Sequence, residues 1–265
     1  MLDRGYQITS IAGTSIGSLI GGVYISGKLP LFKKWMIAKG KLDIIKLMDF
    51  AVSNNGFIKG EKVFGQLKRY LMDADIRDLN IPYAAIAVDI QNMQEVVFRS
   101  GRLQDAIRAS VSIPTVLRPV IHNGLELIDG GVLNPLPLSA INRTPGDILV
   151  AIDLNADIEY KPINKVVKVK KEHSKTYDHA IAFINEKWSA YFHNEKPKRT
   201  GFFDLITLSL YAMQIKLTQI AIDKYKPDVL VKVSRDACAM FEFHRAEEMI
   251  EYGRIQMRKA LDGVK

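Results

Sequence analysis

Ser15 stands between two glycines in the run Ala12-Gly13-Thr14-Ser15-Ile16-Gly17-Ser18. A hydroxyl at this spacing has the makings of an acyl-transfer nucleophile. The apolar residues before it read as a short buried strand, and those after it as a helix over Ser15–Ser26. A serine on such a strand-to-helix turn is held clear of the backbone by strained dihedrals. The helix start aims unpaired N–H groups and partial positive charge at the reacting oxygen. Gly13 and Gly17 are where side chains would collide as the helix folds back on the strand. The Ile16 N–H is the first oxyanion donor. The same residues also read as a glycine-rich turn entering a buried helix, with no chemistry. A phosphate loop fits poorly, because no Lys-Ser/Thr follows the glycines and the dinucleotide spacing is absent.

A second constellation, Asp129-Gly130-Gly131, closes the predicted strand Leu125–Ile128. A carboxylate at the carboxyl end of a strand, followed by two glycines, can turn into a shared crevice. Within hydrogen-bond reach of Ser15 it would take the hydroxyl proton directly, so that a serine–aspartate dyad works without histidine. The alternative is an aspartate that caps its own turn.

Three runs together carry a resemblance: the Ser15 motif, then Arg108-Ala109-Ser110-Val111-Ser112-Ile113-Pro114, then Leu127-Ile128-Asp129-Gly130-Gly131-Val132-Leu133-Asn134-Pro135-Leu136-Pro137. In this order and separation they resemble patatin-like phospholipases, over about residues 1–155. The resemblance implies a three-layer α/β/α fold with a mostly parallel central sheet. It also implies hydrolysis of ester lipids through an acyl-enzyme, with Ser15 as nucleophile, Asp129 as base, and no metal or organic cofactor. One departure stands out. The family's glycine-rich oxyanion loop lies some 25 to 40 residues before the serine, and only fourteen residues precede Ser15 here. Loss of one oxyanion donor costs about 2–4 kcal/mol in the barrier, so weak or absent hydrolysis is expected. The strand that accompanies the loop is missing too, which predicts a raw edge beside the nucleophile strand, covered by self-association. Two other readings stay open. One is a non-catalytic patatin-fold protein that binds lipid or a partner. The other is a Ser-His-Asp esterase of different fold, drawing on His122, His173, His179, His193 or His244. None of these histidines has metal-ligand spacing, and each reads as a surface residue.

The elements that must position these residues are ordinary for a single α/β domain of 265 residues, 48% hydrophobic and 25% charged. Helices are predicted over Leu31–Lys39, Leu42–Phe50, Gly60–Met72, Arg102–Ser112, Gly201–Tyr225 and His244–Leu261, with a loop at Ser53–Gly56. Strands are predicted at Ile81–Ile90, Glu95–Arg99, Arg118–Ile121, Leu125–Ile128, Asp147–Leu154 and Asp228–Ser234. Ile81–Ile90 and Asp147–Leu154 read as buried strands. Strands separated by helices give a layered α/β fold.

Residues 157–200 differ in texture and read as a lid or surface excursion. Lys165–Arg199 holds nine basic against four acidic residues, with Trp188, Tyr191 and Phe192 among them. With a net charge of +8, this stretch admits peripheral contact with an anionic membrane. No nucleic-acid module surrounds it. Trp35 and the 201–225 helix read as core. The single cysteine, Cys238, excludes an internal disulfide framework and reads as an inert thiol. No signal peptide or membrane-spanning run is recognised, so a cytoplasmic or peripheral membrane location is expected.

Overall fold

The computed structural model describes residues 1–47, 59–114, 116–163, 202–239 and 242–263. Seven strands are found among them: β1 (Ile11–Thr14), β2 (Tyr83–Asp89), β3 (Gln94–Phe98), β4 (Val120–His122), β5 (Leu125–Asp129), β6 (Val150–Ala156) and β7 (Val229–Ser234). The α-helices are α1 (Ile16–Ile25), α2 (Leu29–Ile37), α3 (Lys41–Leu47), α4 (Glu61–Leu67), α5 (Leu103–Ser110), α6 (Phe202–Tyr225) and α7 (Ala246–Asp262). The Ser53–Gly56 loop, the Lys165–Arg199 stretch and most of the predicted excursion lie outside the described residues.

β2 is the reference for everything near the site. All seven of its residues are buried, as its unbroken apolar run predicts. It pairs with three strands: parallel to β1 over residues 83–86, antiparallel to β3 over 85–89, and antiparallel to β5 over 87–89. A strand has two edges, so β3 takes one, and β1 and β5 share the other end to end. β1 finishes with Thr14 opposite Ile86, and β5 finishes with Asp129 opposite Ala87. Adjacent residues of β2, about 3.8 Å apart along the chain, therefore bring the carboxyl ends of both strands to one place.

Helices flank this sheet, giving the α/β architecture expected, but the sheet is mixed rather than mostly parallel. Among its described strands only β1 and β2 pair in parallel, because β3 returns from β2 by a tight turn and β4 and β5 form a hairpin. α1 and α5 cover one face, where Leu19, Val23, Phe64, Leu103, Ile107 and Leu127 form the main core. The opposite face carries a smaller cluster of Ala84, Ile86 and Ala140. A separate core of Leu136, Leu138, Leu149 and Ala151 packs against Ala221 and Ile222 of α6. The β4–β5 hairpin turns at Asn123 and Gly124, with φ of 50° and 80°, the positive pair that a tight hairpin turn requires.

One strand departs from the sequence reading. β6 begins three residues later than predicted and, among the described residues, pairs only with β7, as a two-stranded parallel sheet. It is not buried on both faces: Ala151 and Asp153 point inward, whereas Ile152 and Leu154 are 50% and 46% exposed. Residue type conceals this alternation, because the carboxylate Asp153 lies on the buried side and the apolar Ile152 and Leu154 on the exposed one. Among the described residues, β1 has a strand partner on one edge only. No described helix is long and apolar enough to cross a membrane.

The end-to-end meeting of β1 and β5 leaves no room at Gly130. A Cβ there would sit 2.4 Å from the Ile86 carbonyl oxygen, a backbone atom that cannot rotate away. Gly130→Ala should therefore lower stability by about 2 kcal/mol or more, read as a reduced urea midpoint. An unchanged midpoint would contradict this register.

Candidate active site

Ser15 adopts φ 54°, ψ −127°, a conformation that side-chain-bearing residues rarely hold and that marks a strained turn. Two features support the strain. A Cβ on Gly13 would lie 2.5 Å from Gly17 C and Ser18 N, so the first turn of α1 can press against β1 only because residue 13 has no side chain. The Ser15 N–H, displaced from any ladder, donates to Ser110 Oγ at 3.0 Å. Gly17 is different. A Cβ there meets nothing within 4 Å among the described residues, so the collision argument holds for Gly13 alone. The helix approaches β1 with the backbone atoms of residues 17 and 18, and the Cα of Gly17 faces outward.

The segment after α5 holds both candidate catalytic residues. Ser110 Oγ accepts the Ser15 amide, and the Ser112 carbonyl accepts the Asp129 amide at 2.9 Å. Both serines are fully buried. Ser112 Oγ donates to the Arg108 carbonyl at 2.8 Å and accepts from Arg108 Nη1 at 2.7 Å. The guanidinium itself stacks 4.6 Å from the Phe64 ring. The end of α5 is thus a bracket, fixed by Arg108, that grips one backbone amide from each half of the site. Sequence reasoning quoted Arg108–Pro114 for its resemblance but assigned it no task. The available signal was the pair of small hydroxyls two residues apart at a helix end before Pro114.

Asp129 is buried, with 5% of its surface exposed. Its Oδ1 accepts the Gly131 N–H at 2.7 Å, so it does cap its own turn. Its Oδ2 is different: among the described residues no hydrogen bond of ordinary distance and angle reaches it. The Ser15 hydroxyl is close enough to act on the carboxyl electrostatically. Contacts of this kind are often loose before substrate binds. Burial is the largest influence on Asp129 and pushes its carboxyl up to about 6; the Ser15 hydroxyl and then the Gly131 N–H pull it back down. Such a group is ionised at neutral pH yet still a competent proton acceptor.

The amides of Ser18 and Leu19 turn back onto the Ser15 carbonyl at 3.0 and 3.2 Å. Those of Ile16 and Gly17 have no partner among the described residues, and they open the helix beside the hydroxyl. Thr14 Oγ1 donates to the Asn134 carbonyl at 2.7 Å, which ties the end of β1 to the loop beyond Gly130 and Gly131.

The described histidines lie elsewhere. His122 pairs with Leu125 at the far end of β5, four residues and about 13 Å from Asp129. His244 sits in the turn before α7, against α2 and α3. His173, His179 and His193 lie outside the described residues, as do Trp188, Tyr191 and Phe192. Trp35 packs in the main core with Phe32 and Tyr70. Burial pushes the Cys238 thiol up to about 12, which suits an inert residue. No group of three or more potential metal ligands occurs among the described residues.

Comparison with known proteins adds to this geometry. The family model described as patatin-like phospholipase matches residues 1–141, a span that holds both Ser15 and Asp129. An uncharacterized NTE family protein of Mycobacterium tuberculosis H37Rv is 29% identical over 308 residues, covering 98% of this chain and 85% of the relative. The Lysophospholipase NTE1 of Yarrowia lipolytica is 27% identical over 166 residues, 61% of this chain and 12% of that much longer protein. A similar protein of the same name from Debaryomyces hansenii is 24% identical across 94% of this chain.

The buried acid has a measurable cost. Its folded pKa lies above its ordinary value of 3.8, so the folded state holds the proton more tightly than the unfolded chain does. The resulting stabilisation is complete below pH 4 and lost as pH rises through about 6, a swing of up to about 3 kcal/mol. Asp129→Asn keeps the Oδ1 acceptor without the charge. It should be more stable than the parent at pH 8, with the gap closing towards pH 4.5. Urea denaturation of both proteins at the two pH values measures this; a gap independent of pH would contradict it.

Proposed function

This chain belongs to the patatin-like phospholipase family, and from that premise we propose that it hydrolyses ester lipids with Ser15 as nucleophile and Asp129 as general base. The observation that carries the reading is the buried Oδ2 of Asp129, without a partner among the described residues, beside a strained, partly exposed serine. Ser15 Oγ attacks the acyl carbonyl as its proton passes to Asp129. The Ile16 and Gly17 amides receive the developing oxyanion. Collapse expels the alcohol, which takes the proton from Asp129, and leaves the acyl group on Ser15. Water then attacks the acyl-enzyme with Asp129 again accepting a proton. The fatty acid departs and the proton returns to Ser15 Oγ. The scheme calls for no metal or organic cofactor.

The substrate class rests on the family and on the relatives named lysophospholipase. The net charge of +8 favours approach to anionic lipid surfaces. The described donors, the Ile16 and Gly17 amides, come from one helix start, and an oxyanion site served by these donors is expected to turn over slowly. That same observation favours a second reading, a patatin-fold protein that binds lipid without cleaving it.

A fluorophosphonate probe separates the two. Covalent labelling is expected at Ser15, lost in Ser15→Ala, and its rate should fall as pH drops through about 6 with protonation of Asp129. Absence of Ser15-dependent labelling at any pH would favour the binder. No strand among the described residues pairs with the outer edge of β1, and self-association is expected to close it. A monodisperse monomer by light scattering at high concentration would overturn that expectation.

A further inference from the structure

One polar side chain of α6 reaches the glycine turn that follows Asp129, although that helix lies outside the span matched to the family. Gln214 Nε2 donates to the Gly131 carbonyl at 3.0 Å, and the N–H of the same Gly131 is the donor to Asp129 Oδ1 at 2.7 Å. The arrangement is close-fitting. A Cβ on Gly131 would lie 3.1 Å from Asp129 Oδ1 and 3.1 Å from Gln214 Nε2. The residue is therefore flanked by the base and the amide, and a side chain there would crowd both. Its neighbours Ile215 and Leu217 on α6 are apolar and half-buried. A polar side chain here costs desolvation unless its amide is used, and the Gly131 carbonyl uses it.

Resting on the assignment of Asp129 as base, we propose that Gln214 is a positioning residue for that aspartate. It anchors the Gly131 peptide from the α6 side, which keeps the Gly131 N–H on Oδ1 and leaves Oδ2 turned to Ser15. Two consecutive glycines have the widest backbone freedom of any dipeptide. Without the anchor the turn is free to rotate its N–H away. The carboxylate would then lose its one described donor, and proton transfer from Ser15 would start from a less defined geometry.

The surroundings offer Asp129 few groups that offset its burial, the Gly131 N–H among them. Across β2 it faces Ala87, and Asp89 further along that strand is engaged by the Gln91 amide and Asn92. α5 presents Ser110 and Ser112, while Arg108 is turned onto Phe64 and Ser112. β4 places His122 at the opposite end of the hairpin. On α6 the charged Lys216, Asp223 and Lys224 are exposed. Ser15 and Gly131 are thus the described groups that offset burial at this carboxyl.

The test is Gln214→Leu, which preserves size and helix propensity but removes the donor. The rate of Ser15 labelling by a fluorophosphonate is followed from pH 5 to 9 in the 265-residue chain. Positioning predicts that the acid limb moves upward by about half a unit or more. Labelling at pH 6 should then fall about twofold or more further below wild type than labelling at pH 9. Gln214→Glu, which places an acceptor and a negative charge against the same turn, should move the limb further in the same direction. Gln219→Leu, on an exposed face of α6 where Gln219 pairs with Asp223, serves as the control and should leave the limb in place. A uniform loss at all pH values, or an unmoved limb, would overturn the positioning role while leaving the dyad intact. Absence of Ser15-dependent labelling in the wild-type chain would overturn the dyad and the positioning role with it.

Discussion

The structure depends on one edge of one strand. β1 and β5 run in opposite directions yet share the same side of β2, and their carboxyl ends stop at Ile86 and Ala87. Backbone ladder bonds, rather than side-chain packing, therefore set the distance between a hydroxyl and a carboxylate that are 114 positions apart in sequence. Gly130 exists to let the chain leave that edge, since any side chain there meets the Ile86 carbonyl. The α5 bracket reinforces the same arrangement by taking one amide from each strand end.

That precision is achieved against local preference. Ser15 holds a positive φ, and Asp129 is a buried carboxyl with one oxygen unpaired. Each carries a cost of order 1–3 kcal/mol, offset by the large core formed by Leu103, Ile107, Leu127 and their neighbours. Sites of this kind concentrate local unfavourable features where function requires them. The two hydrogen-bonding serines, Gln214 and Thr14 are the means by which the surrounding structure enforces them.

The legible parts of the sequence were those with a local cause. The turn at Ser15 announced itself through Gly13, the β4–β5 hairpin through Asn123-Gly124, and the buried strand β2 through its unbroken apolar run. α1, α6 and α7 were found within a residue or two of their ends because amphipathic or apolar stretches are bounded by recognisable breakers. What escaped were facts of assembly. The alternation of β6 could not be seen because it runs against residue type, with Asp153 on the buried side and Ile152 and Leu154 on the exposed side. Gly17 looked sterically required by symmetry with Gly13, but only one of the two faces the helix crossing. Gln214 and Ser110 act across 83 and 95 positions of chain, and no local pattern reports such a contact.

The end-on junction of β1 and β5 has a consequence for how the chain acquires its native state. β1 must find a strand that begins near residue 83, and β5 must then lie down on the remaining half of the same edge. Both closures span long loops, and neither creates the junction alone. Partly folded forms that retain α6 or the hairpin would lack it. Under the proposed mechanism, reactivity at Ser15 is accordingly a signature of completed assembly, more stringent than helix content or compactness, which such forms can share with the native protein.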